Sequence, residues 1–95
     1  MDRDTALQLL EANHTFPSDH GFHVIVRQEP GHETAVLESL AALVSLTDLT
    51  ERLVRVPSSK GSFVSLRLSL PCESAAMVLD IYAHLQTLPQ VVRYF

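Results

Sequence analysis

The chain has 95 residues, 46% of them hydrophobic and 19% charged, which fits one globular domain and excludes both a disordered chain and two domains that each bury a core. Its formal net charge of -4 argues against a general nucleic-acid binder, which carries a basic excess. The charge is uneven: residues 1–50 hold two basic groups against eight acidic ones, and residues 51–95 hold five against three. A single cysteine, Cys72, rules out an intrachain disulfide. With no apolar run of membrane-spanning length and no signal-peptide core, the cytosol is the expected compartment and no membrane partner is expected.

In chain order, Thr5 to Ala12 predicts a short helix with Leu7, Leu10 and Glu11 near one face, broken by the segment Asn13 to Ser18. Residues 1–15 thus read as a helical arm, too short to be stable alone and expected to dock on the body or fray. Residues 16–95 read as one domain. Gly21 to Gln28 alternates, with Phe22, Val24 and Val26 on one side and His23, Ile25 and Arg27 on the other, as a half-buried strand requires. After Pro30-Gly31, the spacing of Val36, Leu40, Leu43 and Val44 predicts a helix over 32–45, with Glu33 suiting its positive end.

Leu53 to Val56 forms the centre of a second strand, starting near Leu49. Pro57-Ser58-Ser59-Lys60-Gly61 reads as the loop of a hairpin. The third strand is the clearest: Val64, Leu66, Leu68 and Leu70 alternate with Phe63, Ser65, Arg67 and Ser69 until Pro71 ends it. Glu73 to Gln86 predicts a second long helix burying Ala75, Val78, Leu79, Tyr82 and Leu85, and Gln90 to Phe95 a last strand. The order β-α-β-β-α-β, with right-handed crossovers and a tight central hairpin, predicts an α+β ferredoxin-like two-layer sandwich. In it, two helices pack on one face of a four-stranded antiparallel sheet.

The Phe16-Pro17 pair, the Pro57-Ser58-Ser59-Lys60-Gly61 loop with its following strand, the helical Ile81-Tyr82-x-x-Leu85 and the terminal Val91-Val92-Arg93 resemble the YbeD-like family over residues 16–95. These are small bacterial proteins of uncharacterised function. The resemblance implies a ferredoxin-like fold similar to ACT domains, the small-molecule-sensing regulatory modules attached to metabolic enzymes. It also implies a homodimer, since such modules pair across a symmetric interface. The N-terminal arm lies outside the motif.

Strict alternation, with Val24, Val54, Val56, Leu66, Leu68 and Val92 turned to the helices, sends His23, Ile25, Arg27, Arg55, Phe63, Ser65, Arg67 and Arg93 to the open face of the sheet. Four of the six arginines then share one surface, where guanidinium groups can make paired hydrogen bonds to carboxylate or phosphate. The same pattern also fits a solvated sheet face carrying long side chains, the default for an antiparallel sheet covered on one side. The loop residues Ser58, Ser59, Lys60 and Gly61 include the only lysine and could hold an oxyanion, yet Pro, Ser and Gly are also what a tight turn demands.

His14, His20, His23 and His32 fall early in the chain, without a cysteine or spaced carboxylates to make a metal site. Cys72 is expected to be half-buried at a helix N-terminus. These residues point to a non-enzymatic regulatory or adaptor domain, free of cofactors and metals. It would bind a small anionic ligand or a protein partner through the sheet face and the 57–61 loop. The alternatives are an RNA-binding module on the open face, which has one aromatic in place, Phe63, and a small enzyme, for which no nucleophile–base or carboxylate pair is evident.

Overall fold

The alternation around Val24 and Leu66 is realised in two ten-residue strands, β1 (Ser18–Arg27) and β3 (Phe63–Cys72), that pair antiparallel along their whole length in a computed structural model describing residues 2–95. β2 (Leu53–Pro57) flanks β3 and β4 (Val91–Tyr94) flanks β1, giving the sheet order β2-β3-β1-β4. Helices α2 (His32–Leu43) and α3 (Ala75–Thr87) cover one face, and an N-terminal helix, α1 (Arg3–Asn13), packs against α3. The fold is the ferredoxin-like sandwich expected from the element order. No helix among the described residues is long and apolar enough to cross a membrane.

The core lies between sheet and helices. Phe22, Val24 and Val26 of β1 and Val64, Leu66, Leu68 and Leu70 of β3 meet Val36 and Leu40 of α2 and Val78, Ile81 and Leu85 of α3. All are buried, and each such side chain contributes about 1.5–3 kcal/mol by leaving water. α3 begins where the Ser74 hydroxyl accepts a hydrogen bond from the Met77 N–H at 3.2 Å, satisfying one orphan donor of the first turn. α2 has no side-chain cap; its chain enters through Gly31 at φ 81°, a left-handed conformation that costs a residue with a Cβ more than glycine.

Several boundaries differ from the sequence reading. Leu49 to Arg52 is not strand: Thr50–Arg52 forms a single 3-10 turn, held by the Asp48 carboxylate accepting from the Thr50 N–H at 2.8 Å. The Thr50 hydroxyl donates to the same carboxylate, and this bond together with the backbone one holds the Asp48 carboxyl below its usual range. On α3, Ile81 is fully buried, whereas Leu79 and Tyr82 are half-buried, and on α2 Leu43 is exposed.

Pro71 does not end β3, which runs on through Cys72. The reason lies in the ladder. His23 exchanges both backbone bonds with Phe95, so the odd-numbered backbone groups of β1 face β4 and those of β3 face β2. β2 pairs only as far as Leu68, so the N–H that Pro71 lacks would have pointed at no strand. Cys72 is consequently buried in the sheet, and burial raises its thiol pKa, the reverse of a stabilised thiolate.

The arm docks. Asp2 caps α1 by accepting from the Thr5 N–H at 2.7 Å, Leu10 and Phe16 pack against the core, and Arg3 reaches Asp80 of α3 at 3.0 Å. Because α1 sits on the helix layer, the opposite face of the sheet stays open.

Candidate functional site on the open face of the sheet

Directly paired residues of an antiparallel sheet share a face, so the register decides which side chains the open face carries. Val54, Arg67, His23 and Phe95 form one row across the sheet; Val56, Ser65, Ile25 and Arg93 form the next; Phe63 and Arg27 follow. His23, Ile25, Arg27, Phe63, Ser65 and Arg67 therefore lie on the open face as the alternation of β1 and β3 required, and Arg93 of β4 joins them opposite Ile25.

Val54, Val56 and Val92 do not face the helices. Val54 is 60% exposed and Val92 49%, and Val54 and Val56 are opposite the outward residues Arg67 and Ser65. In β2 the inward positions are Leu53 and Arg55, across from Leu68 and Leu66. In β4 an irregularity between Ile25 and Val26 lets both Val91 and Tyr94 pair with inward residues, leaving Val92 and Arg93 outside.

Arg55 thus leaves the predicted set. It lies on the helix side, where its Nε–H donates to both carboxylate oxygens of Glu33 on α2, at 2.9 and 2.7 Å. Both partners keep contact with solvent, which limits the worth of the pair. Arg55→Ala should lower stability by about 1 kcal/mol or less, read by urea denaturation, and leave binding at the open face unchanged.

The hairpin loop is built by turn chemistry. Gly61 N–H donates to Ser58 O at 3.0 Å, Gly61 takes φ 73°, and Ser58 N–H donates to Phe63 O at 2.9 Å. The Ser58 hydroxyl is engaged as well, accepting from the Phe63 N–H at 3.2 Å. Ser59 and Lys60 stand exposed at the tip. Of the loop residues, Lys60 alone extends the charge of the sheet face.

Two shallow hollows mark that face. The larger, about 590 Å³, lies over Gly21 and Ser69 between Val54 and Phe95, with Arg67 at its side. The smaller, about 310 Å³, lies at the hairpin end among Ile25, Val56, Ser58 and Phe63. Gly21 and Phe95 had no place in the sequence reading of the site. A glycine inside an alternating strand is a readable signal for Gly21, but Phe95 needed the register.

The histidines divide between faces. His23 packs its ring on Phe95 on the open side, with centroids 5.0 Å apart. His20, on the helix side, meets His14 at 5.0 Å and Phe22 at 5.1 Å. No group of three metal-ligating side chains forms among the described residues. Burial, with the neighbouring His14 adding to it, lowers the His20 pKa from 6.5, so the unfolded chain binds the proton more readily. His20's contribution to stability is therefore complete above pH 6.5 and is lost as the pH falls through its lowered folded value. The melting temperature should drop on acidification below that point, and His20→Phe should flatten the dependence.

A search of curated proteins finds no match to the chain. Among solved structures it is similar to the C-terminal domain of the MgtC protein from Mycobacterium tuberculosis, determined in solution, with a TM-score of 0.57 and 17% identity over 87% of this chain and 88% of that one. At that identity the likeness is one of fold. A family model described as a protein of unknown function, DUF493, matches residues 11–95, the same family to which the YbeD-like resemblance points, and the chain belongs to it.

Proposed function

We propose that this protein is a non-enzymatic adaptor or regulatory domain whose open sheet face binds an acidic segment of another protein. One observation carries the reading: Arg27, Arg67 and Arg93 stand on one face with no carboxylate in salt-bridge reach among the described residues, interleaved with Ile25, Val56 and exposed Phe63. Arg3, Arg52 and Arg55, by contrast, each hold a carboxylate. Free guanidinium forks match carboxylates in pairs, and apolar neighbours exclude water around such bonds and strengthen them. Lys60 at the hairpin tip extends the same charge. The face is read as binding rather than catalytic because arginine stays protonated at neutral pH and exchanges no proton with a substrate.

The test is a titration of the isotope-labelled protein with a glutamate-rich peptide and with a lysine-rich peptide of equal length, at low and moderate salt. Saturable amide shifts at Ile25, Phe63, Arg67 and Arg93 are expected with the glutamate peptide alone, weakening as salt screens the charges. Equal responses to both peptides, or shifts confined to α2 and α3, would overturn the reading. A short oligouridylate forms a third arm, because the His23–Phe95 ring pair beside Arg67 is a surface on which a base could stack. Saturable shifts with the oligouridylate and none with the glutamate peptide would move the reading to single-stranded nucleic acid.

A further inference from the structure

We infer that the hollow over Gly21 seats a bulky apolar side chain of the acidic segment, so that the recognised sequence is an apolar anchor beside a run of carboxylates; this rests on the reading above. Gly21 lies within a ten-residue strand, its φ is outside the left-handed region occupied by Gly31 and Gly61, and a Cβ built on it would meet nothing within 4 Å. Neither a turn nor close packing accounts for the glycine. Inside a strand a glycine destabilises relative to a residue with a side chain, through its backbone entropy. What the glycine does is leave the floor of the hollow bare, as strand glycines do where another chain approaches closely.

The walls suit an apolar occupant. Val54 is 60% and Phe95 56% exposed on opposite sides, and the His23 ring buttresses Phe95. The far rim is fixed before anything binds: Arg52 Nη1 reaches Asp19 at 3.2 Å and the Ser69 carbonyl at 3.3 Å.

Charge sets the order of the segment. At the hollow Arg52 is committed to Asp19 and Glu51 lines the rim, whereas the uncommitted arginines run from Arg67 to Arg93 and Arg27 toward the hairpin. The apolar residue therefore belongs over Gly21 and the carboxylates over the arginines.

Two labelled glutamate-rich peptides test this with the full chain, one carrying a single phenylalanine at its end and the other alanine there. By fluorescence anisotropy the phenylalanine peptide should bind about tenfold tighter, the scale of a seated aromatic anchor. Gly21→Val fills the hollow and should erase that difference. Its melting temperature should not fall, because the added side chain meets open space and suits a strand. Phe95→Ala, which removes a wall, should erase the same preference and serves if the first variant fails to fold. Equal affinity for the two peptides in the parent protein, or a preference that survives both substitutions, overturns the anchor and leaves the acidic-segment reading standing. Failure of both peptides to bind removes that reading itself. Self-association in sedimentation that Gly21→Val abolishes would assign the hollow to a second copy of the chain and overturn the proposal.

Discussion

Aspartate in place of Leu66 should abolish folding, and aspartate in place of Val54, opposite the very next residue along β3, should leave a folded protein. Leu66 is fully enclosed between the sheet and the helices, in the central strand β3. Losing its apolar burial and enclosing a carboxylate with no partner costs several kcal/mol, a large share of the roughly 5–15 kcal/mol that a domain of this size has in total. Protonating the carboxyl to avoid burying the charge lessens the cost without removing it, because the acid still lacks a hydrogen-bond partner. Val54 projects into solvent on the other face, where a carboxylate stays hydrated and lies opposite Arg67. Only the weak strand preference of aspartate counts against it, about 1 kcal/mol. Circular dichroism melts of the two variants decide the matter, and two unfolded variants would return Val54 to the helix side.

The contrast also marks where the sequence was legible. In β1 and β3, Phe22–Val24–Val26 and Val64–Leu66–Leu68–Leu70 repeat long enough for only one face to be apolar, and the structure buries all of them. In β2 the run Leu53-Val54-Arg55-Val56 has an apolar residue in each register. Counting hydrophobic residues favours Val54 and Val56 inside, because the pattern of one strand does not reveal that Glu33, on a different element, waits for Arg55. The hairpin closure at Ser58 and Phe63 fixes the pairing instead, and it places an arginine on the helix side. In β4 a local irregularity breaks the two-residue period on which any face assignment depends. Pro71 misled for a related reason. A missing N–H ends a strand only where a partner needs it, and whether β2 extends that far is a property of the sheet.

The candidate site inherits these errors in a productive way. The sequence placed four arginines in a polar face, whereas the structure leaves three there and adds the valines it had assigned to the core, together with Phe95. A solvated sheet face explains scattered charges. It explains less well free guanidinium groups set among exposed apolar side chains and a bare strand glycine, a composition closer to the centre of an interface, where arginine and aromatic residues are enriched.

Charge reversal at the middle of that face should therefore give the largest effect on binding. Arg67 lies in the row Val54–Arg67–His23–Phe95, between the larger hollow and the other two free arginines. Arg67→Glu removes a guanidinium fork and sets a carboxylate against the carboxylates of the segment. The expected loss is about tenfold to a hundredfold in affinity for the glutamate-rich peptide, or about 1.4–2.8 kcal/mol, with the association rate falling too. Arg67→Lys, which keeps the charge but not the planar fork, should fall between the parent and Arg67→Glu. Stability should hardly move in either variant, because Arg67 is exposed and has no side-chain hydrogen-bond or salt-bridge partner among the described residues. Arg55→Ala supplies the opposite signature, a small loss of stability with binding retained. If Arg55→Ala and Arg67→Glu weakened the peptide equally, the arginines would act through net charge alone, and the open face would lose its claim to be the site.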